Sequence, residues 1–337
     1  MRPPEWNILL ITRGGVGLEP SLIGGTYDWD IDRKVLSGGS FTTFTELPST
    51  VGMSLDLSTT FDGSTYRHGR FIITRDMPNY SGPRTQRTLD FMDEAVIPSR
   101  MRLNEPYTLP RTTRATFAAR DLLARNLIVA SIHPSDRTLR VAMAWNPDEV
   151  VLDAANKLFD VCGFHPLWPS PRGLYTGPRV NPETAPVAHV FKEGEEALHL
   201  PDYPQEQDYL AVPNRLVATT NGDDVHRPLV AVARDVATSP WSFEARGYWV
   251  DADPYQSDLV TQDGLYKEAA RKLKELQYNA ITMTIQHMWT PDLTPGCVVE
   301  VEADNPDVAG RWQAVTSGTP LMGSDALVTT GLRKVRR

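Results

Sequence analysis

The sequence contains very little cysteine: Cys162 and Cys297 are the two cysteines among 337 residues. A disulfide framework is therefore excluded, and two distant thiols are typical of a protein made in a reducing cytoplasm. Long apolar runs are also missing. The run near the N-terminus covers only Ile8–Ile11, which is too short for a signal-peptide core or a membrane span. We therefore expect no targeting segment and no stable membrane association.

Positive charge is in deficit as well. The chain has 34 Lys and Arg against 42 Asp and Glu, a formal net charge of -8. Proteins that hold nucleic acid concentrate positive charge, because binding is driven by the release of counterions from the phosphates. Stable nucleic-acid binding is therefore not expected.

Short catalytic motifs are absent too. The sequence has no G-x-S-x-G, G-x-x-x-x-G-K-[ST] or G-x-G-x-x-G, the patterns of a nucleophile elbow, a P-loop and a dinucleotide fold. The run Gly14-Gly15-Val16-Gly17 lacks a following helix and is interpreted as a hairpin turn. Asp and Glu are abundant, so a carboxylate pair that cleaves a glycosidic bond stays open, although abundance is no evidence for one.

Two arrangements resemble metal sites without completing them. Asp28, Asp30 and Asp32 have the spacing of a calcium loop, but that loop needs Gly and Glu where this chain has Arg33 and Gly39. The alternation instead predicts a strand with a solvated acidic face.

Cys162 and His165 have C-x2-H spacing without a second ligand pair, which favours a buried thiol over zinc. The remaining histidines follow no ligand pattern: His68, His133, His189, His199, His226 and His287. We predict no catalytic, cofactor-binding or metal-binding residue, and no cofactor.

What the sequence does contain indicates a strand-rich protein of two or three domains. Hydrophobic residues make up 41% and charged residues 23%, and 27 prolines and 23 glycines separate short segments, as in strands joined by turns. Tyr27, Trp29 and Ile31 alternate with acids, the period of a half-buried strand. Residues 1–100 are therefore predicted to form a β domain.

Residues 101–200 are predicted to be mixed α/β. Alanines and leucines recur at helical spacing in Thr112–Asn126. Asn146-Pro147-Asp148-Glu149 combines an Asn cap with proline at the first helical position, which predicts a second helix start. Gly163 is a candidate left-handed residue at the end of that helix, before a hairpin over residues 164–175.

Residues 201–337 are predicted to form a second β domain with one inserted helix. The acid-rich segment Glu193–Asp208 before it is interpreted as an exposed linker. Strands are predicted at 214–220 and 229–233, with a turn at 221–224. Thr261 is predicted to cap the inserted helix, and Glu268 and Lys272 are predicted to form an exposed pair on it. The tryptophans are predicted to pack in cores rather than stack on sugars: Trp29, Trp145, Trp168, Trp249 and Trp312.

Several segments together carry a resemblance to a known family. They are Asp28–Ser40, Gly69–Thr74, Leu167-Trp168, Leu198-His199-Leu200-Pro201, Val212–Val217, Ala231–Asp235, Ser239-Pro240 and Gly247. In order and spacing, the chain resembles the minor tail proteins, or tail hub proteins, of siphophages that infect high-GC Gram-positive bacteria. The similarity covers nearly the whole chain, through loose motifs.

The resemblance implies a baseplate-hub-like fold, a β-rich α+β protein with two tail-tube-like β-barrel domains and an intervening α/β region. It implies a homotrimer that joins the hexameric tail tube to threefold spike or fibre proteins at the tail tip of the virion. It also implies that DNA passes without specific binding, and that the chain is not an enzyme. The alternative that stays open is a tail-tip module that binds carbohydrate or degrades cell wall.

Overall fold

The computed structural model describes residues 4–47, 49–80, 84–194, 197–210, 212–220, 227–237, 239–257, 259, 261–278, 281–322 and 327–335. Strands account for 43% of the chain and helices for 15%. The predicted β-rich α+β class is thereby confirmed.

The N-terminal part of the chain folds into an antiparallel sheet. Its strands are β1 (Glu5–Ile11), β2 (Gly17–Leu18), β3 (Leu22–Asp30), β4 (Ser37–Thr43), β5 (Ser54–Phe61), β6 (Ser64–Asn79) and β7 (Gln86–Asp93), in the spatial order β2-β1-β5-β6-β7-β4-β3. Tyr27 and Trp29 are buried on β3 while Asp28 and Asp30 alternate with them, as the period-2 pattern predicts. The predicted turn at Gly14-Gly15 lies between β1 and β2 and has Gly15 at φ 79°.

A separate α/β unit follows with its own core. Its elements are α1 (Val96–Arg100), β8 (Tyr107–Leu109), α2 (Ala115–Arg125), β9 (Ala130–Ile132), β10 (Met143–Trp145), α3 (Val151–Val161), β11 (Trp168–Ser170) and β12 (Gly173–Thr176). Strands β9, β12 and β11 form one small sheet, and β8 pairs with β10.

The predicted start of α3 at Asn146 is wrong. The helix begins at Val151, and Val150 is extended because it bridges Arg102, while the carbonyl of Glu149 accepts a hydrogen bond from the Leu103 amide. Tertiary pairing thus overrides the local cap signal. The prediction at the other end of the helix is confirmed, since Gly163 has φ 73°.

The C-terminal part adds six strands to the large sheet. In chain order its elements are β13 (Val187–Lys192), β14 (Gln205–Gln207), β15 (Arg215–Thr220), β16 (Val230–Arg234), α4 (Phe243–Arg246), β17 (Tyr255–Ser257), α5 (Gln262–Tyr278), β18 (Ile281–His287), β19 (Val298–Glu302), β20 (Gly310–Pro320) and β21 (Val328–Lys334). The sheet order here is β14-β18-β21-β20-β19-β13. Strands β15 to β17 and α5 form an inserted unit with a small core of its own.

Two predictions for this region are corrected. The segment Glu193–Asp208 is not simply a linker, because β14 pairs with β18 and His199 bridges His287. Glu268 does not pair with Lys272. Its carboxylate instead accepts hydrogen bonds from Tyr255 and Ser257 on β17.

The predicted cap of α5 is confirmed, because the Thr261 hydroxyl accepts a hydrogen bond from the Gly264 amide at 3.3 Å. The predicted turn at residues 221–224 lies outside the described residues. Within the described ranges, the structure holds no helix with both the length and the apolarity to cross a bilayer.

Strand β20 joins the two halves of the large sheet. Its first residues pair with β19 and its last residues with β3 along the same edge, while β21 occupies the opposite edge. The change of partner coincides with a register shift between Ala314 and Thr316. One core runs through both halves. In the described residues the strand pairings leave both halves as open sheets.

Candidate assembly surfaces

The three aspartates of the predicted strand face are held by arginines. A guanidinium nitrogen of Arg33 lies 2.5 Å from Asp28 and another lies 3.3 Å from Asp30, while Asp32 pairs with Arg333. Each carboxylate therefore forms an ion pair with an arginine, as is common for acidic residues on a solvated strand face. Across the described part of the chain, no three His, Cys, Asp or Glu side chains are arranged to hold a metal ion.

His165 has both ring nitrogens engaged inside the α/β unit. Nδ1 donates to the carbonyl of Pro166 at 2.7 Å, and Nε2 accepts from the Gly177 amide at 3.1 Å. Burial lowers the pKa of His165, which keeps the imidazole neutral near pH 7. Cys162 is a half-buried free thiol whose pKa is raised by burial. Both residues are therefore accounted for by packing.

The other histidines are divided between the core and the surface. Burial lowers the pKa of His68 and of His287 to about 4, so each is neutral at physiological pH. His189, His199 and His287 surround the ring of Phe191, with centroids 4.7 Å, 5.4 Å and 5.3 Å away. These packed histidines support the fold of the C-terminal half. His133 is exposed, and His226 lies outside the described residues.

The predicted burial of tryptophan is confirmed for Trp29, Trp145 and Trp312. Trp168 and Trp249 are only half-buried. Each has a ring stacked on it, from His165 at 4.2 Å and from Phe243 at 4.6 Å respectively.

Sequence reasoning missed an aromatic cluster that ties the two halves of the sheet together. Trp289, in the loop after β18, lies 5.5 Å from Phe61, 5.4 Å from Tyr66 and 6.3 Å from Trp6 between ring centroids. Ring pairs at these distances add to the stabilisation from burial. Because Trp289 is more than 200 residues from its partners, no local pattern could have revealed the contact.

One end of the N-terminal half presents exposed apolar side chains. The strand registers place the last residues of β4 and β6 level with the first residues of β3 and β7 at this end, and the chain leaves β20 there as well. The last residues of β1 lie opposite the first residues of β5, and the Thr50 hydroxyl just before β5 donates to Asp76 of β6 at 2.9 Å. Between 42% and 84% of each side chain is exposed in the set Val16, Ile23, Phe44, Val51, Tyr80 and Met322, here called the apolar rim. Exposed apolar side chains that gather at one end of a sheet make this end a candidate contact surface.

Among the described residues, strand β1 also has a largely open edge. Strand β2 pairs only with Leu10 and Ile11, whereas β5 covers the other edge of β1 along its whole length. A cavity of about 950 Å³ lies beside β1, and its lining includes Trp6, Arg172 and Met322. Unpaired amide and carbonyl groups at such an edge can accept a further strand.

No family model matches this sequence, and no match was found among curated proteins. Solved structures do match it. A tail protein from Neisseria meningitidis MC58 superposes with a TM-score of 0.74 and 15% identity, over 98% of this chain and 97% of that one. The 43 kDa tail protein of prophage MuSo2 from Shewanella oneidensis gives 0.71 and 10% identity, over 98% of both chains.

A third solved structure widens the comparison. The E. coli c3393 protein, described as a type VI secretion component with structural similarity to the T4 tail proteins gp27 and gp5, gives a TM-score of 0.54. Its identity is 10%, over 97% of this chain and 76% of that one. The predicted relation to tail proteins is thus confirmed for the fold, along nearly the whole chain.

Proposed function

We propose that this chain is a structural hub subunit of a phage tail tip or baseplate. The observation that carries the proposal is the match, at TM-score 0.74 over 98% of the chain, to a protein described as a tail protein. A fold alone does not fix a function, but here the match spans all parts of the chain at once. The exposed surfaces of the chain also fit a protein that works inside an assembly.

The subunit acts as a homotrimer with two tube-like β domains per chain, so that three copies offer six domains to a hexameric tail tube. The two halves of the large sheet, joined through β20, correspond to these two domains. The limits at residues 100 and 200 are the approximate borders of the intervening α/β region. Closed cyclic assembly covers strand edges that would otherwise remain open, such as that of β1.

The apolar rim contacts a neighbouring ring of the tail, and threefold spike or fibre proteins attach on the opposite side of the trimer. Support for this role comes from the six side chains that stay exposed at one end of the sheet, because burying them between rings removes apolar surface from water. The protein is placed in the virion tail tip after assembly in the host cytoplasm. A high-GC Gram-positive host is part of the proposal.

The trimer lines part of the DNA exit channel without binding DNA. The net charge of -8 supports this role, since acidic walls repel phosphate. A channel surface that is predominantly basic would contradict it. The chain has no enzymatic role and no cofactor in this proposal.

The test is the native mass of the purified protein, with negative-stain images of the same fractions. We expect a trimeric ring with a central opening that neither binds nor cleaves cell-wall glycan. A stable monomer that acts on glycan would overturn the proposal in favour of a tail-tip carbohydrate module.

A further inference from the structure

Arginines from two distant segments meet on the surface of the α/β unit. The Thr112 amide donates to Leu139 at 2.8 Å, the Leu139 amide donates to Thr113 at 2.8 Å, and the Ala115 amide donates to Arg137 at 3.1 Å, each to a backbone carbonyl. These bonds align residues 111–115 antiparallel to residues 137–140. Arg111 and Arg114 thereby come to lie beside Arg137 and Arg140.

Helix α2 adds an exposed aromatic ring to this surface. Phe117 is 53% exposed, and the guanidinium groups of Arg114 and Arg120 lie 5.2 Å and 5.9 Å from the centre of its ring. The arginine patch is defined here as Arg111, Arg114, Phe117, Arg120, Arg137 and Arg140, all of which are exposed. In the described residues only Arg114 of these arginines forms an ion pair, with Asp136.

The charge of the patch contrasts with the rest of the chain. Residues 95–186 contain 11 Lys and Arg against 8 Asp and Glu, a net charge of +3, so the remaining residues carry -11. Arginine and aromatic side chains are enriched where protein interfaces are strongest. The composition of the patch is therefore that of a surface that binds an acidic surface of another protein chain.

An acidic groove in the C-terminal half has the complementary charge. It encloses about 480 Å³ beside β13 and β19, and its charged lining consists of Glu193, Glu300, Glu302, Asp304 and one cation, Lys192. Lys192 lies 3.5 Å from Glu302 in an exposed pair, which leaves the groove with an excess of three negative charges. Carboxylates at this density match guanidinium groups, which bind them in a two-pronged geometry.

We propose that the arginine patch of one copy binds the acidic groove of the next copy of this chain. Because the contact joins two different surfaces, repetition from copy to copy closes a ring when the rotation per copy fits. The inference rests on the proposed homotrimer and names the surfaces that hold it together. It also explains why an acidic chain keeps an exposed cluster of arginines around an exposed phenylalanine.

The experiment compares native mass, by light scattering on a sizing column, for the full chain and three charge variants. Arg120→Glu with Arg140→Glu is expected to weaken the trimer about 100-fold or more, because charge reversal replaces attraction with repulsion. Glu302→Arg with Asp304→Arg is expected to do the same. The variant that carries all four changes restores opposite charges across the contact and is expected to regain the trimer.

A matched control reverses the same number of charges elsewhere. Arg227 and Arg234 are both exposed, and their double change to Glu should leave the trimer intact. Thermal unfolding monitored by circular dichroism shows whether each variant is folded. The proposal is supported if the patch variant and the groove variant are folded but not trimeric, and the variant that combines their changes is trimeric.

Four outcomes overturn it. A trimer that survives reversal of the patch or of the groove shows that another surface holds the ring, while the proposed hub function stands. A combined variant that stays monomeric also refutes the pairing. A monomeric wild-type chain refutes the pairing together with the homotrimer. A patch-dependent shift in the fluorescence anisotropy of a labelled DNA duplex, with no change in mass, would reassign the patch to nucleic acid.

Discussion

Protonation of His287 is expected to destabilise the C-terminal half of the large sheet. The ring lies at the end of β18, where Nδ1 donates to the carbonyl of Met288 at 2.6 Å and Nε2 accepts from the Thr330 hydroxyl at 2.8 Å. A second proton on Nε2 would turn this nitrogen into a donor to the Thr330 hydroxyl, and it would place a positive charge in a buried site. The neighbouring His189 and His199 would repel the new charge when they are protonated themselves.

The sign and size of the effect follow from the shift in pKa. Burial lowers the pKa of folded His287 from its ordinary value of 6.5 to about 4, so between these values the unfolded chain binds more protons. The stability that this group contributes is complete above pH 6.5 and is lost as the pH falls through 4. From about pH 7.5 to about pH 4.5 the loss amounts to roughly 2.5 kcal/mol.

The assay is urea unfolding at the two pH values, for the wild type and for His287→Asn. The amide can still donate to Met288 but does not titrate. The variant should be less stable than the wild type at pH 7.5. Between the two pH values, its free energy of unfolding should fall by about 2.5 kcal/mol less than that of the wild type. Titrating groups that do not interact with His287, such as the buried His68, cancel in this difference.

The control is His133→Asn, because His133 is exposed. It makes the same chemical change at an exposed site and should leave the free energy of unfolding at pH 7.5 unchanged. If His287→Asn and the wild type lose equal stability between the two pH values, the burial argument is wrong.

Three further changes test the core. Asp93→Asn removes a buried carboxylate that accepts hydrogen bonds from the amide and hydroxyl of Ser37 and from the amide of Ala95. The change should lower the free energy of unfolding in urea by about 1–3 kcal/mol at neutral pH. An unchanged unfolding midpoint would contradict this. Gly39→Ala should prevent stable folding, because its Cβ would lie 2.0 Å from the carbonyl oxygen of Thr26, whereas Gly24→Ala meets nothing within 4 Å and should remain soluble and folded. Trp312→Ala empties a fully buried site and should lower the free energy of unfolding by about 3–5 kcal/mol; a loss below about 1 kcal/mol would show that the site collapses.

Local patterns were sufficient wherever the cause of a structure lies within a few residues. The alternation around Trp29 places that side chain in the core, because successive strand residues face opposite sides. Thr261 caps α5 and Gly163 adopts a left-handed conformation at the end of α3, because these signals act over three or four residues. The same local logic failed at Asn146, where pairing with a distant segment delays the helix.

The assembly surfaces could not be predicted from local sequence patterns. The apolar rim collects side chains from strand ends and loops that are as much as 306 residues apart. The arginine patch forms only because residues 111–115 pair with residues 137–140. Both depend on strand register and on which strands become neighbours. β20 illustrates the point, since its two parts pair with β19 and with β3, which are far apart in the chain.

The sequence by itself therefore determined the β-rich class, the alternation within strands and several helix ends, because these follow from backbone and side-chain geometry over a few residues. Only the tertiary structure decided how the two halves join and which exposed residues share a surface. The physical reason is that distant strands choose their partners by burying a common core, and a pattern within one strand does not specify the partner.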